Sequence, residues 1–334
     1  MKYTFKSVAA LSLSVILLFS AGCAPPISQA APEAPRKLQV ITTLFPLYDF
    51  SKTLMGDAAE VSLLLPPGVE PHAFEPTPQD IVRISKGDVF IYTGEAMEPW
   101  VHELLAGIDN PELLVIDASQ GIALAEEEDH DHGDEAAHDE EEGEDHAPAG
   151  EEESHHGVDP HIWLDPVLAQ QMTATIAEGL KKAAPEREAE ITAAEGILRQ
   201  QLEALHQKYV AALEKTQYNE IVYGGHFAFG YLARRYGLEH VSPYDGFSPD
   251  AEPTPARIAA LIQTLKTTGT KTIYFEELID PKVARVIAEE TGAKMLMLHG
   301  AHNVSKAEME SGITYIAIME QNLENLKEGL GYRE

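Results

Sequence analysis

With 334 residues, 44% of them apolar, the chain has room for two ordinary domains with cores of their own. Its formal charge of −31 at pH 7 repels nucleic acid and argues against any phosphate-backbone partner, which leaves a cationic ligand as the better match. The single cysteine excludes a disulfide framework.

The chain begins "MKYTFKSVAALSLSVILLFSAGCAPP", with Lys2 and Lys6 ahead of an apolar run over 8–19 and small residues before Cys23. That run is shorter than the roughly 20 residues a stable spanning helix needs, so residues 1–22 are expected to be an export signal. Ser20, Ala21 and Gly22 directly before Cys23 resemble a bacterial lipoprotein signal, in which the cysteine is lipidated and becomes the mature N-terminus. Such signals usually have an aliphatic residue where Ser20 stands, and a plain secretory signal is the alternative. Lipidation of Cys23 implies a place on the outer face of a membrane, periplasmic or cell-surface, with the Pro/Ala-rich residues 23–37 as tether.

Past the tether, "LQVITT" (38–43), "VSLLL" (61–65), "VFIYT" (89–93) and "LLVID" (113–117) read as buried parallel strands, alternating with helical patterns such as 46–55 and 77–85. They predict an α/β lobe over 38–185 with helices on both sheet faces. Within it, residues 125–157 combine low hydrophobicity with high charge; 126–153 alone hold 16 Asp and Glu and no Lys or Arg, about half the net negative charge. Such a segment buries too little apolar area to offset its ordering entropy, so it is expected to be a disordered loop.

Residues 186–216 lack proline and place Ile191, Ala194, Leu198, Leu202, Leu205, Tyr209 and Leu213 at spacings of three and four. One stripe on a continuous helix, roughly 45 Å long, follows from that pattern, and it makes a stiff connection. Strand patterns then resume with "EIVYGG" (220–225), "TIYFEE" (272–277) and "KMLML" (294–298), which predict a second α/β lobe over 217–334. The fold class expected is therefore α/β, with two Rossmann-like lobes of parallel sheet joined by one long rigid helix.

Three histidines stand where open α/β sheets place ligands, in loops at the carboxyl ends of strands. His72 lies in "LPPGVEPHAFEPTPQD", a stiff Pro- and Gly-rich turn leading to a helix for which Thr77 is the expected N-cap. His161 lies in "GVDPHIWLDP", where Asp159 or Asp165 can accept the second ring N–H of a histidine ligand. His226 follows two glycines in "VYGGHFAFGY", where the backbone can approach its neighbours closely. Singly, each is more often a structural histidine; three at strand-to-helix junctions from both lobes point to a site.

These motifs, "PGVEPHAFEPT", "DPHIWLDP" and "GGHFAFGY", together with the lipoprotein-like start, the acidic His-rich insertion and the long helix, resemble the zinc-binding solute receptors of bacterial ABC importers, the ZnuA/TroA-like family, from about residue 38 to the C-terminus. The resemblance implies one divalent metal in the cleft between the lobes, with His72 and His161 as ligands from the first lobe and His226 from the second. Manganese receptors of the family tend to have a carboxylate at the His226 position, and imidazole suits zinc, so Zn(2+) is the implied cargo. Counting back from "GITYIAIMEQNL", a family glutamate falls on His302, which becomes the fourth ligand; His299, a carboxylate or a water are the alternatives. Glu276 and Glu277 add oxygen donors at a strand end. The implied partners are a separate permease and ATPase, since the chain has no "GxxxxGK[ST]" loop and no second apolar span, and the receptor itself is expected to be a monomer.

A metallohydrolase is the rival class, because three histidines with an open position also describe a catalytic zinc. No H-E-x-x-H motif supports it. A manganese or broader divalent-metal receptor, an adhesin and a zinc-storage protein are further alternatives. In the acidic segment, His130, His132, His138 and His146, with His155 and His156 close to His161, are expected to bind zinc weakly and exchange it quickly, gathering metal for the cleft. Because imidazole ligands must be deprotonated, affinity is expected to fall below a pH of about 6.5.

Overall fold

The computed structural model describes residues 36–125, 157–244 and 253–334. The signal, the tether up to residue 35 with Cys23, and the segment carrying His130, His132, His138, His146, His155 and His156 lie outside the described residues. No described helix is long and apolar enough to cross a membrane.

In the first lobe, β1 (Leu38–Thr42), β2 (Ala59–Leu63), β3 (Val89–Tyr92) and β4 (Leu114–Asp117) form one parallel sheet in the order β2-β1-β3-β4. The register sets Leu38 against Ala59, Val40 against Val89 and Val89 against Leu114. The central strands are buried on both faces, as their unbroken apolar runs require: Val40, Val89, Phe90 and Ile91 have no exposure. The strand expected at 61–65 begins at Ala59 and stops at Leu63. Leu64 adds one more bond to the Thr42 carbonyl at 2.7 Å, and Pro66 and Pro67, which lack an N–H, then end the pairing.

Around this sheet lie α1 (Phe45–Met55), α2 (Pro78–Ser85), α3 (Val101–Ala106) and α4 (Pro166–Ala183). The N-cap expected at Thr77 is present as a full capping box with Asp80. Asp165 caps α4, accepting the Val167 N–H at 2.8 Å.

The linking helix is α5 (Glu188–Leu213), 26 residues and therefore about 39 Å long. It is shorter than 186–216 because a single 3-10 turn, Pro185–Arg187, precedes it and a turn follows Leu213. Its stripe is buried as expected at Ile191, Leu198, Leu202, Leu205, Tyr209 and Leu213. α5 packs on α1 and α4 of the first lobe and on α10 (Tyr315–Gly329) of the second, where Tyr209 Oη donates to the Met319 carbonyl at 2.7 Å. A single hydrophobic cluster, running from Phe45 through Trp163 and Tyr209 to Tyr315, is thereby continuous across both lobes.

The second lobe departs from one continuous sheet. β5 (Glu220–Val222) pairs with β6 (Glu239–Val241), a strand the sequence pattern did not predict, and β7 (Thr272–Phe275) pairs with β8 (Lys294–Met297). An isolated parallel bridge, Tyr223 to Tyr274, and the Gly224 N–H to Tyr274 carbonyl bond of 2.8 Å join the two pairs. The helices here are α6 (Gly230–Tyr236), α7 (Pro255–Thr268), α8 (Lys282–Thr291), α9 (Lys306–Ser311) and α10.

Candidate metal centre

His72, His161 and His226 converge: their donor atoms all lie within 4.8 Å of one another, and no other group of this kind occurs among the described residues. Each reaches the point by a different local device. The His72 turn is stiffened by Pro66, Pro67, Pro71 and Pro76, by the Ala73 N–H to Glu70 Oε2 bond of 3.0 Å, and by Phe74 packing edge-on against Trp100. His161 is fully buried, and Asp159 Oδ1 holds both its backbone N–H (3.0 Å) and its ring Nδ1 (2.9 Å). His226 depends on two close approaches: a Cβ on Gly224 would stand 2.6 Å from the Ala284 Cβ, and one on Gly225 would stand 2.6 Å from Glu276 Oε1. Of the two aspartates flanking His161, Asp159 therefore orients the ring, while Asp165 caps α4 and binds Arg235 at 2.7 Å.

The spacing suits a tetrahedral ion. Two imidazole nitrogens on one zinc at about 2.0–2.1 Å stand about 3.3 Å apart. His161 Nε2 and His72 Nε2 are 3.2 Å apart, and the three ring centroids are separated by 5.1 to 5.2 Å. Burial, reinforced by the neighbouring imidazoles, holds His72 and His161 far below their ordinary pKa. The rings are therefore neutral, and because Asp159 takes the His161 Nδ1 proton, His161 Nε2 offers a lone pair. His226 Nε2 is buried without a hydrogen-bond partner, while its Nδ1 faces Glu276 Oε2 at 3.9 Å.

His302 stands one step outside this group, its ring centroid 6.4 Å from that of His72, with a buried, unpartnered Nδ1. The turn that carries it is tied peptide by peptide. Asn322 takes the His299 N–H (2.7 Å) and donates to the His299 carbonyl (2.8 Å). Glu277 Oε2 accepts the Gly300 N–H, and Trp163 Nε1 donates to the Gly300 carbonyl, both at 2.7 Å. The His302 carbonyl accepts the Phe45 N–H at 3.0 Å and so satisfies a first-turn amide of α1, a helix whose N-cap Leu44 provides no side-chain cap. Asn303 Nδ2 donates to the Pro66 and Val69 carbonyls, both at 2.8 Å, and the Gly68 N–H reaches the Val304 carbonyl at 2.9 Å. Although His302 belongs in sequence to the second lobe, its turn is tied to the first lobe as well as to its own.

His299, the alternative fourth ligand, is placed otherwise. Its Nδ1 accepts the Ala301 N–H at 2.9 Å, and its Nε2 lies 3.6 Å from Glu308 Oε1. Glu277 lies between the two histidines, with Oε1 at 3.3 Å from His299 Nδ1 and 3.5 Å from His302 Nε2. Burial pushes its carboxyl up to about 8 and that of Asp159 to about 6. Asn322, Asn303, Trp163 and Phe45 as supports of the site were not legible in the sequence; each acts across a long separation, without a local motif.

The sequence matches the family described as "Zinc-uptake complex component A periplasmic" over residues 40–329. It is 38% identical over 296 residues to the high-affinity zinc uptake system protein ZnuA of Bacillus subtilis, covering 88% of each chain. It is 34% identical over 328 residues to the zinc-binding lipoprotein AdcA of Streptococcus pneumoniae; the alignment takes in 97% of this chain and 61% of that longer protein. Among solved structures, the Zn(II)-bound ZnuA-like domain of Streptococcus pneumoniae AdcA superposes with a TM-score of 0.71 at 31% identity, covering 88% of this chain and 99% of that one.

Proposed function

The chain belongs to the periplasmic zinc-uptake component A (ZnuA) family, and from that premise we propose that His72, His161, His226 and His302 together hold its cargo ion. The protein is an exported zinc-binding receptor of an ABC importer rather than an enzyme, and it delivers zinc to a membrane permease driven by a separate ATPase. The observation that carries the site is the convergence of His72, His161 and His226, whose donor atoms all lie within 4.8 Å of one another, with His161 Nε2 and His72 Nε2 3.2 Å apart and His226 Nε2 buried without a hydrogen-bond partner.

Zinc exchanges its water ligands for these nitrogens, and the donor set favours it over harder cations. Four imidazoles bring no charge of their own. The ion's two positive charges are balanced from behind the ligands by Asp159 on His161 and Glu276 beside His226, while Glu277, whose proton burial retains, faces His302. His302 completes the set by turning Nδ1 toward the three-histidine group, with Nε2 left to Glu277. Lobe limits at 38–185 and 217–334, lipidation at Cys23, action as a monomer and an accessory role for the His-rich stretch are parts of the same reading.

Zinc titration of the protein lacking residues 126–153 tests this assignment. One tight zinc per chain is expected to remain while additional weak binding disappears; loss of the tight site would move the centre into the deleted stretch. Ester or peptide turnover by the zinc-loaded protein, abolished by His226→Ala, would overturn the receptor reading.

A further inference from the structure

The turn that presents His302 contains a residue in an unusual conformation. Ala301 has φ +57°, in the left-handed region that residues with a Cβ avoid. A specific contact holds it there: the Ala301 N–H donates to His299 Nδ1 at 2.9 Å. That bond runs from a side chain to the backbone two residues on, the same pattern by which Asn and Asp side chains close an Asx-turn.

The His299 ring is itself fixed. It is 4% exposed, and Asn322 clamps both polar groups of its backbone. Since Nδ1 accepts, the proton of the neutral ring is on Nε2, which faces Glu308 Oε1 at 3.6 Å. The other oxygen of Glu308 is occupied, accepting the Ser305 N–H (2.8 Å) and hydroxyl (2.6 Å) in the capping box of α9. Neither His299 nitrogen belongs to the compact donor group, which consists of His72, His161 and His226.

We propose that His299 is a positioning residue for the cargo metal: through the Ala301 amide it holds the left-handed turn that brings His302 to the three-histidine group. This rests on the reading of His302 as fourth ligand. It assigns the two histidines of "HGAH" different tasks, one closing the turn and the other facing the ion. The role requires an acceptor at the Nδ1 position and makes no demand on Nε2 as a ligand.

Two substitutions separate these requirements in the full chain. His299→Phe keeps a ring and removes the acceptor; His299→Asn removes the ring and keeps an acceptor suited to an Asx-turn. Zinc affinity is measured by competition with a chromogenic chelator, coordination by the visible spectrum of the Co(II)-loaded protein, and folding by thermal melting. His299→Phe is expected to weaken zinc binding by about 10- to 100-fold and to move the Co(II) spectrum toward that of His302→Ala. His299→Asn is expected to retain the parental affinity and spectrum. Adding Ala301→Gly to His299→Phe is expected to restore binding, because glycine adopts the left-handed conformation without the contact. Equal loss in the folded Phe and Asn variants would overturn the proposal in favour of His299 as a ligand, and parental binding by His299→Phe would overturn it altogether. Should the larger ring prevent folding, His299→Ala takes its place, with the same expected loss and the same recovery on Ala301→Gly. A His302→Ala variant that binds zinc as the parent does would instead sink the four-histidine site, whatever the His299 variants show.

Discussion

Two irregular segments bring histidines to the proposed metal centre, and they are held by opposite means. The turn bearing His72 is restrained largely from within, by four prolines between 66 and 76 and by short-range bonds such as Phe74 N–H to the Pro71 carbonyl. The turn bearing His302 has no proline between 299 and 304, and is restrained by partners as remote as Phe45, Trp163 and Asn322. Rigidity that is written into the chain survives local disturbance. Rigidity that is borrowed from tertiary contacts depends on the whole fold, so the second turn is the one more readily uncoupled from the centre.

The largest effect tests the shared point of convergence. His161→Ala removes the most buried donor and leaves Asp159 without its ring partner, so zinc affinity should fall by more than the roughly 10- to 100-fold that an outer partner costs. Competition titration of the folded variant checks this. A loss no greater than that of His299→Phe would mean that His161 is not a principal ligand.

The next effect belongs to the His302 side alone. Glu277 has its folded value raised to about 8 by burial, against an ordinary 4.5, so the folded state holds a proton that the unfolded state has lost between those limits. Its contribution to stability is therefore fully present below about 4.5 and is lost as pH rises through about 8, at no more than roughly 1.4 kcal/mol per pH unit. Glu277→Gln keeps an acceptor for the Gly300 N–H and carries no titrating proton. Melting temperatures of the metal-free variant should decline less between pH 5 and pH 8 than those of the parent; parallel curves would refute the buried proton. The histidines act in the opposite sense. His72, His161 and His302, pulled down by burial, contribute stability that is present above about 6.5 and lost as pH falls below it. Their depressed values also move proton competition for zinc below the pH of about 6.5 that free histidine would suggest.

A smaller effect tests whether the two turns lean on each other. Asn303→Ala removes both donors that reach the Pro66 and Val69 carbonyls, which should cost about 2 to 3 kcal/mol if those acceptors stay unsatisfied. If the prolines suffice for the His72 turn, stability falls and zinc affinity does not. A joint fall in both would show that the first turn also borrows its rigidity from the second.

This contrast explains what could be read from the sequence. Periodicity located α5 and its buried stripe, Thr77 and Asp80 announced the capping box of α2, and three short motifs marked His72, His161 and His226, because each signal is local. The pairing of β5 with β6, apart from β7 and β8, was not visible, since three- and four-residue strands give too short a pattern to fix their neighbours. His302 could be placed by family resemblance; its dependence on Trp163, 137 to 139 residues away, had no local trace.

The smallest expected effect falls where the two kinds of restraint meet. Gly68 sits in the proline-rich turn at φ +87° and donates its N–H to the Val304 carbonyl beside His302, so one residue supplies both the local bend and a bond to the other turn. No neighbouring atom lies within 4 Å of where a Cβ would stand, so Gly68→Ala adds no clash and acts through backbone strain alone. A cost of about 1 to 2 kcal/mol is expected, read as a lowered melting temperature. If the turn absorbs this strain internally, zinc affinity stays parental, because the prolines on either side still fix His72. A drop in affinity beyond that of Asn303→Ala would mean instead that the glycine amide, and not the prolines, sets where His72 stands, and the distinction between written and borrowed rigidity would fail at the residue where it is most exposed.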